Sequence, residues 1–190
     1  APDHRLYESH PVLNSLLLHH LGHGDIRVRR DAIAVAGRTV RFADGAQADY
    51  DVIVQATGYT LHYPFVEREA LAWPDGAPAP RLFLNAMHPQ DDTLFLMGML
   101  EASGLGWQGR YEQARLVAAY LHGLARGHPG AAALRRAKAA WRGERLDGGY
   151  TYLPLDRMAY YVHKDTYLRT LRRHQRALGV APVTRGASRP

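Results

Sequence analysis

The run Tyr50-Asp51-Val52-Ile53-Val54-Gln55 constrains this chain more than any other stretch. Contiguous apolar residues leading straight into Ala56-Thr57-Gly58-Tyr59 have the pattern of a strand buried on both faces, as in a parallel sheet. Such a strand needs helices packed against it, so the expected class is α/β. Residues 93–99 (TLFLMGM) predict a second buried strand, again entering a glycine-rich turn over 102–109.

Helices are predicted around these strands. Residues 11–21 (PVLNSLLLHHL) read as a short amphipathic helix, with Pro11 at its first turn and Gly22 and Gly24 ending it. A second is expected over about 111–126, with Ala114, Val117, Ala118 and Leu121 on one stripe. A third, rich in Ala and Arg, covers about 131–142, and a last one about 164–178, capped by Gly179. Before residue 50, the segments 26–30, 32–36 and 38–42 are strand-like, with turns at Gly37 and at Asp44-Gly45. They predict a small antiparallel meander, polar on one face. Residues 73–80 form a loop with three prolines, and 182–190 a frayed tail.

Composition narrows the function classes. The 190 residues carry no cysteine, which excludes disulfides, thiolate metal sites and cysteine nucleophiles. No apolar run approaches the ~20 residues that span a bilayer, and no secretory leader opens the chain, so a cytoplasmic location is expected. The net charge is +6, but residues 157–190 hold eight basic side chains against Asp165 alone, leaving the rest close to neutral. Among basic residues, 22 are Arg and 2 are Lys in an Ala-rich chain. That is a compositional bias with one basic terminal stretch, not a distributed phosphate-binding surface, and no nucleic-acid partner is expected.

Motif chemistry alone identifies no enzyme. Gly104-Leu105-Gly106-Trp107-Gln108-Gly109 matches G-x-G-x-x-G literally. In a dinucleotide fingerprint the first Gly follows the strand directly and an acidic residue ends a second strand ~20 positions on. Here four residues intervene after Met99, and the acidic position falls in a helical segment. The expectation is a glycine-rich loop capping a helix, whose terminal N–H groups still suit an anionic cofactor. His19 and His23 are four apart, with Asp25 as the nearby carboxylate; this reads as a polar helix end, and no metal is expected. Asp91-Asp92 reads as a solvated turn, and no Ser/His/Asp order or nucleophile elbow is present.

Residues 44–66 (DGAQADYDVIVQATGYTLHYPFV) resemble the second-half signature of the flavin-containing monooxygenases: an Asp-Gly turn, an aspartate, an apolar strand, Ala-Thr-Gly-Tyr, then Pro-Phe. His10-Pro11-Val12-Leu13-Asn14 followed by Gly24-Asp25-Ile26 resembles that family's approach to the segment. Leu94-Phe95-Leu96-Met97-Gly98 resembles its strand returning to the flavin, and Gln113-Ala114-Arg115 its Gln-Ala-Arg helix start. Residues 160–168 resemble its late tyrosine-containing helix, so the likeness covers about residues 8–175.

The resemblance implies a Rossmann-like flavoprotein with two dinucleotide-binding domains, using FAD and NADPH. Residues 1–60, including the meander, would end the NAD(P)H-binding domain, and 61–180 would be the C-terminal part of the FAD-binding domain. It implies NADPH reduction of FAD and oxygen transfer from O₂, through a flavin hydroperoxide, to an amine, a sulfide or, in Baeyer–Villiger relatives, a ketone. Ala56, Thr57, Gly58 and Tyr59 would lie at the nucleotide–flavin junction, Gly98, Met99 and Leu100 near the isoalloxazine, and Gln113 at a helix start facing it; no catalytic residue is assigned. The family's two glycine fingerprints have no counterpart here, and the chain opens on Ala1 rather than Met. The expectation is therefore the C-terminal segment of a longer flavoprotein, inactive without its N-terminal remainder. The competing readings are a flavin NAD(P)H oxidoreductase that does not oxygenate, and a non-catalytic module that does not hold flavin.

Overall fold

A computed structural model describes residues 5–11 and 14–181. It is α/β, with four α-helices and one small antiparallel sheet among the described residues, and it divides into two compact units. One comprises residues 12–60; the other joins residues 1–11 to 61–190.

The smaller unit opens with α1 (Ser15–His23). Asn14 caps it by accepting a hydrogen bond from the Leu17 N–H at 3.1 Å, and Gly24, at φ 82°, ends it. The helix begins later than the sequence pattern suggests, so Pro11 lies outside it, while Val12 and Leu13 fall outside the described residues. None of its residues is buried. The meander consists of β1 (Ala32–Ala36), β2 (Thr39–Phe42) and β3 (Gln47–Asp49), in the order β1-β2-β3. Val35 pairs with Val40 and Val40 with Ala48. Only Val40 and Phe42 bury their side chains within the sheet; all of β1 is exposed.

Two expected strands of this unit are absent. Residues 26–30 have the alternation but no neighbour to take their backbone hydrogen bonds, and remain irregular. The third strand is instead Gln47–Asp49. Residues 50–55 leave the sheet at the Tyr50 N–H, which donates to Arg38 O at 2.9 Å, and run on unpaired to residue 60. Val52, Ile53 and Val54 are 74, 56 and 81% exposed. The apolar pattern is real, but no parallel neighbour or covering helix among these residues buries it.

The larger unit is a helical body. α2 (Gly106–Ala125), α3 (Pro129–Ala140) and α4 (Lys164–Ala177) enclose the segment 82–102, with short 3₁₀ turns at Glu69–Leu71 and Asp156–Met158. Met87, Tyr120, Tyr167 and Leu171 are fully buried at its centre. α2 begins five residues before the predicted start, so Gly106-Trp107-Gln108-Gly109 is its first turn and not a loop ahead of it. Gly109 has a packing reason: a Cβ there would lie 2.7 Å from the Leu100 and Leu105 side chains. The buried face of α2 is Gly109, Glu112, Gln113, Leu116, Tyr120 and Gly123, whereas Ala114, Ala118 and Leu121 of the predicted stripe are exposed. Residues 93–99 make no strand either. Phe95 bridges Met87, Leu96 N–H donates to Ala86 O at 2.9 Å, and Gly98 then turns the chain away.

Candidate functional site

The turn between Phe83 and Met87 holds two consecutive non-glycine residues at positive φ, Leu84 at 52° and Asn85 at 54°. Such backbone is unfavourable for side chains with a Cβ and persists only where surrounding groups impose it. They do so here. Tyr167 OH donates to Leu84 O at 2.7 Å, Gln113 Nε2 donates to Asn85 O at 3.2 Å, and Asn85 Nδ2 donates to Tyr160 O at 3.1 Å. Gln113 Nε2 also donates to Tyr167 OH at 2.8 Å. Burial raises the Tyr167 phenol well above its ordinary value, keeping it a donor.

The other end of the same amide reaches the second turn. Gln113 Oε1 accepts from the Gly98 N–H at 3.3 Å. Gly98 has φ 90°, which suits glycine, and is half-buried; Met99 and Leu100, next along, are buried. Gly98, Met99, Leu100 and Gln113 are therefore brought together. Gln113 faces inward as a brace between the two turns: it is 1% exposed and its polar atoms are taken up by protein groups. Met99 packs with Ala79 and Leu82, and its Sδ accepts from Tyr63 OH at 3.5 Å.

A cavity of about 460 Å³ opens beside this turn, lined in part by Leu82, Asn85, Met99, Arg145 and Tyr160. Arg145 is fixed by donating to Met158 O at 2.7 Å. Close in sequence to Gly98, α2 starts at Gly106 with no side chain capping its first turn, and its terminal amides carry the helix's positive end. Arg110 adds a cation and ties the two, donating to Gly106 O at 3.0 Å and Leu100 O at 3.3 Å. Of the residues from Gly98 to Gln113, only Met99 lines the cavity; Gly98 and the start of α2 lie outside its lining. They form no pyrophosphate cradle.

Ala56, Thr57, Gly58 and Tyr59 lie in the smaller unit, on the unpaired exposed segment. Gly58 has φ 91° with no atom within 4 Å of a would-be Cβ, and Tyr59 is fully exposed.

Sequence reasoning missed one polar cluster. Asp92, expected in a solvated turn, is mostly buried: it accepts from Tyr120 OH at 2.6 Å and pairs with Lys138 Nζ at 3.1 Å and Arg135 Nε at 2.5 Å. Lys138, 1% exposed, also donates to His88 O and Asp91 O. Burial pushes the Asp92 carboxyl upward, but hydrogen bonds from Tyr120 and Lys138 and the charges of Lys138 and Arg135 outweigh it and hold the carboxyl below its usual range. Asp91 does stay at the surface, held low by hydrogen bonds from Thr93. The cluster fixes the 88–93 loop to α2 and α3. The signal available was Lys138, a lone lysine in an Ala-rich helix.

In the smaller unit, His20 Nδ1 lies 3.0 Å from Asp25 Oδ2, and the rings of His19 and His23 meet at a tilt of 57° with centroids 4.2 Å apart. Among the described residues no three His, Asp or Glu side chains gather as metal ligands, and no helix is long and apolar enough to cross a membrane.

The pattern of a family described as flavin-binding monooxygenase-like matches residues 1–154. The chain is 29% identical over 125 residues to dimethylaniline monooxygenase (N-oxide-forming) 2 of Oryctolagus cuniculus, covering 65% of this chain and 23% of that protein. To the protein of the same name from Rattus norvegicus it is 30% identical over 127 residues, covering 66% and 24%. To flavin-containing monooxygenase 1 of Sus scrofa it is 25% identical over 171 residues, covering 88% and 32%. The chain thus spans about a quarter to a third of the curated relatives it matches. No solved structure matches it.

Proposed function

We propose, from the premise that this chain belongs to the flavin-binding monooxygenase-like family, that it works as the C-terminal segment of an FAD- and NADPH-dependent monooxygenase. The family match carries this reading, because it spans both the 56–59 turn and the 98–113 region. FAD, when bound, would supply the redox and oxygen-transfer chemistry. This chain's part is to shape one side of the flavin site. Gly98 presents bare backbone, Met99 supplies apolar surface to the neighbouring cavity with Leu100 packed in the core behind it, and Gln113 Oε1 holds the turn by accepting from the Gly98 N–H. The uncapped amides of α2 favour negative charge at the cofactor's edge. Ala56, Thr57, Gly58 and Tyr59 form the junction toward the nucleotide.

On this reading the smaller unit ends the NAD(P)H-binding domain and residues 61–180 complete the FAD-binding domain. Val52, Ile53 and Val54 then become a central strand once neighbouring strands from the remainder of the protein pair with them. Both glycine fingerprints lie in that remainder. A tertiary amine, oxygenated at nitrogen, is the first substrate class to test, since two of the relatives are named for N-oxide formation.

The experiment has two stages. The 190-residue chain is mixed with FAD and passed through gel filtration while its visible absorbance is followed. The expected result is no retained flavin; a retained flavin spectrum would place a complete FAD site in these residues and end the segment reading. The product of the whole gene is then assayed for NADPH oxidation, O₂ uptake and N-oxide formation with N,N-dimethylaniline. NADPH consumption without any oxygenated product, across amine, sulfide and ketone substrates, would replace the monooxygenase with a plain flavin oxidoreductase.

A further inference from the structure

A second cavity, of about 290 Å³, lies in the helical unit and is lined by residues far apart in sequence, among them Tyr7, Ser103, Tyr150, Tyr152, Tyr161 and Lys164. Its floor is organised by one hydrogen-bonded chain. Ser103 Oγ and Tyr161 OH lie 2.9 Å apart, and the same hydroxyl lies 3.2 Å from His10 Nδ1. Tyr161 is only 5% exposed, so its hydroxyl is held in place. The Lys164 ammonium reaches the same corner, beside the bare Cα of Gly104, the residue after Ser103. The Tyr152 ring meets that of Tyr161 edge-on, with centroids 4.9 Å apart and planes 69° apart, so the two rings make a right-angled aromatic wall.

The rim is also built. Leu153 N–H donates to Glu8 O at 2.8 Å and Arg157 Nη2 to Ser9 Oγ at 2.9 Å, fixing residues 8–9 against the 153–157 segment. Tyr7 completes the cavity from a backbone at φ 72°, a conformation costly for a tyrosine. Among the residues lining the cavity the carboxylate is Asp165, which is exposed. Tyr150 stacks on His163, whose Nδ1 is engaged with Thr166 Oγ1 at 2.9 Å.

We propose that this cavity binds a small aromatic monocarboxylate. When Ser103 Oγ accepts from Tyr161 OH, its own hydrogen is left free, so the Ser103 hydroxyl and the ammonium of Lys164 are the groups that receive a carboxylate, and charge-assisted hydrogen bonds of this kind are the strong ones. The Tyr152 and Tyr161 rings offer edges and faces to a planar ring. The volume sits near the lower limit of ligand cavities, ~300 Å³, which fits one ring with a short substituent. Tyr152 stays protonated, because burial and then the neighbouring Tyr161 push its phenol up to about 12, and its hydroxyl is directed at Asp147 O at 3.4 Å, so it contributes its ring. Asp165 disfavours a second negative charge on the ligand, which selects a monocarboxylate over a phosphate dianion. The site rests on none of the flavin residues and stands whether or not the chain serves a monooxygenase.

The test uses the 190-residue chain and four probes in titration calorimetry: benzoate, benzyl alcohol, benzylamine and inorganic phosphate. Benzoate is expected to bind at least tenfold more tightly than each of the others. Lys164→Gln should weaken benzoate at least fivefold while leaving benzyl alcohol unchanged. Ser103→Ala, with circular dichroism matching the parent, should weaken benzoate about threefold, which keeps the test decisive if the lysine variant misfolds. Tighter binding of benzylamine would overturn the proposal in favour of a cation cage built on Asp165 and the tyrosine rings. Phosphate competing equally would reduce the cavity to a general anion site, and no heat with any probe would end it.

Discussion

The two units invest their apolar residues differently. In the helical unit, Met87, Tyr120, Tyr167 and Leu171 are fully enclosed, and even the buried polar groups Gln113, Glu112 and Lys138 find partners. In the unit of residues 12–60, Leu16, Leu18, Val28, Ile33, Val52 and Val54 are each more than half exposed, and among the described residues the only buried side chains are Val40 and Phe42. The difference is not one of composition. A helix satisfies its own backbone and needs only one covered face, whereas a parallel strand needs neighbours on both edges and cover on both faces. Residues 50–55 carry the apolar pattern of such a strand, and among the described residues none pairs with them or covers them.

The largest expected contrast comes from truncating equivalent aliphatic side chains in the two units. Leu171→Ala removes a fully enclosed leucine from α4 and should lower the unfolding free energy by about 3 kcal/mol, within the range for buried leucines. Val54→Ala, at a position 81% exposed, should change it by less than about 0.5 kcal/mol. Urea denaturation of the isolated chain measures both. A cost above about 1.5 kcal/mol for Val54→Ala would mean that residues 50–55 are covered in solution, for instance by a second copy of the chain, and the contrast between the units would dissolve.

How far the sequence reveals each region follows from the same physics. α3 and α4 were readable, because an Ala-rich stretch and the Tyr167, Leu168, Leu171 spacing report local backbone preference and one covered face. α2 was readable as a helix but not for its orientation. Its buried face carries Glu112 and Gln113, and a hydrophobic stripe cannot register polar residues satisfied from outside the helix, by Gln175 Nε2 donating to Glu112 Oε2 at 2.9 Å and by the Gly98 N–H. Asp92 reads as a solvated position for the same reason, since its partners Tyr120 and Lys138 are 28 and 46 positions away. Of the candidate site, the Ala-Thr-Gly-Tyr segment and the Gly98 turn were legible through family likeness. That Gln113 joins Gly98 to the Leu84-Asn85 turn depends on contacts across 15 and 28 residues, which no local pattern encodes.

A smaller effect tests whether the buried polar groups of the helical unit are as tightly held as they look. Burial lowers the His174 and His88 imidazoles below their ordinary value; the Arg173 charge adds to this at His174, while at His88 the Asp91 charge opposes it and the Lys138 charge adds to it. A base with a depressed folded value binds its proton more readily when unfolded, so stability falls as pH drops below about 6.5. The depressed Asp92 carboxyl gives a second decline lower down: its contribution is intact above the ordinary carboxylate range near ~4 and is lost as pH falls through it toward the folded value. Thermal melting between pH 7 and pH 3, followed by near-ultraviolet circular dichroism, should therefore show two successive decreases. Asp92→Asn should flatten the lower one and spare the upper. A single acid step unchanged in that variant would show that Asp92 is not ion-paired in solution.

The smallest effect concerns the one ion pair that ties the meander to the segment leaving it. Arg38 and Asp51 are in contact, but their side chains are 69 and 80% exposed. At such exposure water competes for both charges, holding two mobile side chains together has an entropic cost, and salt screens the attraction, so the pair should contribute below about 1 kcal/mol. Arg38→Ala is accordingly expected to cost a few tenths of a kcal/mol, and less still in high salt, while leaving the backbone bond from the Tyr50 N–H to Arg38 O intact. The pair between Lys138 and Asp92 brings opposite charges to a similar separation at a site almost closed to water, and its contribution should be nearly independent of salt. If melting of the parent chain and of Arg38→Ala differed by several degrees, and the difference survived high salt, Asp51 would have to be shielded from solvent. Residues 50–55 would then be a partnered strand and not an open one.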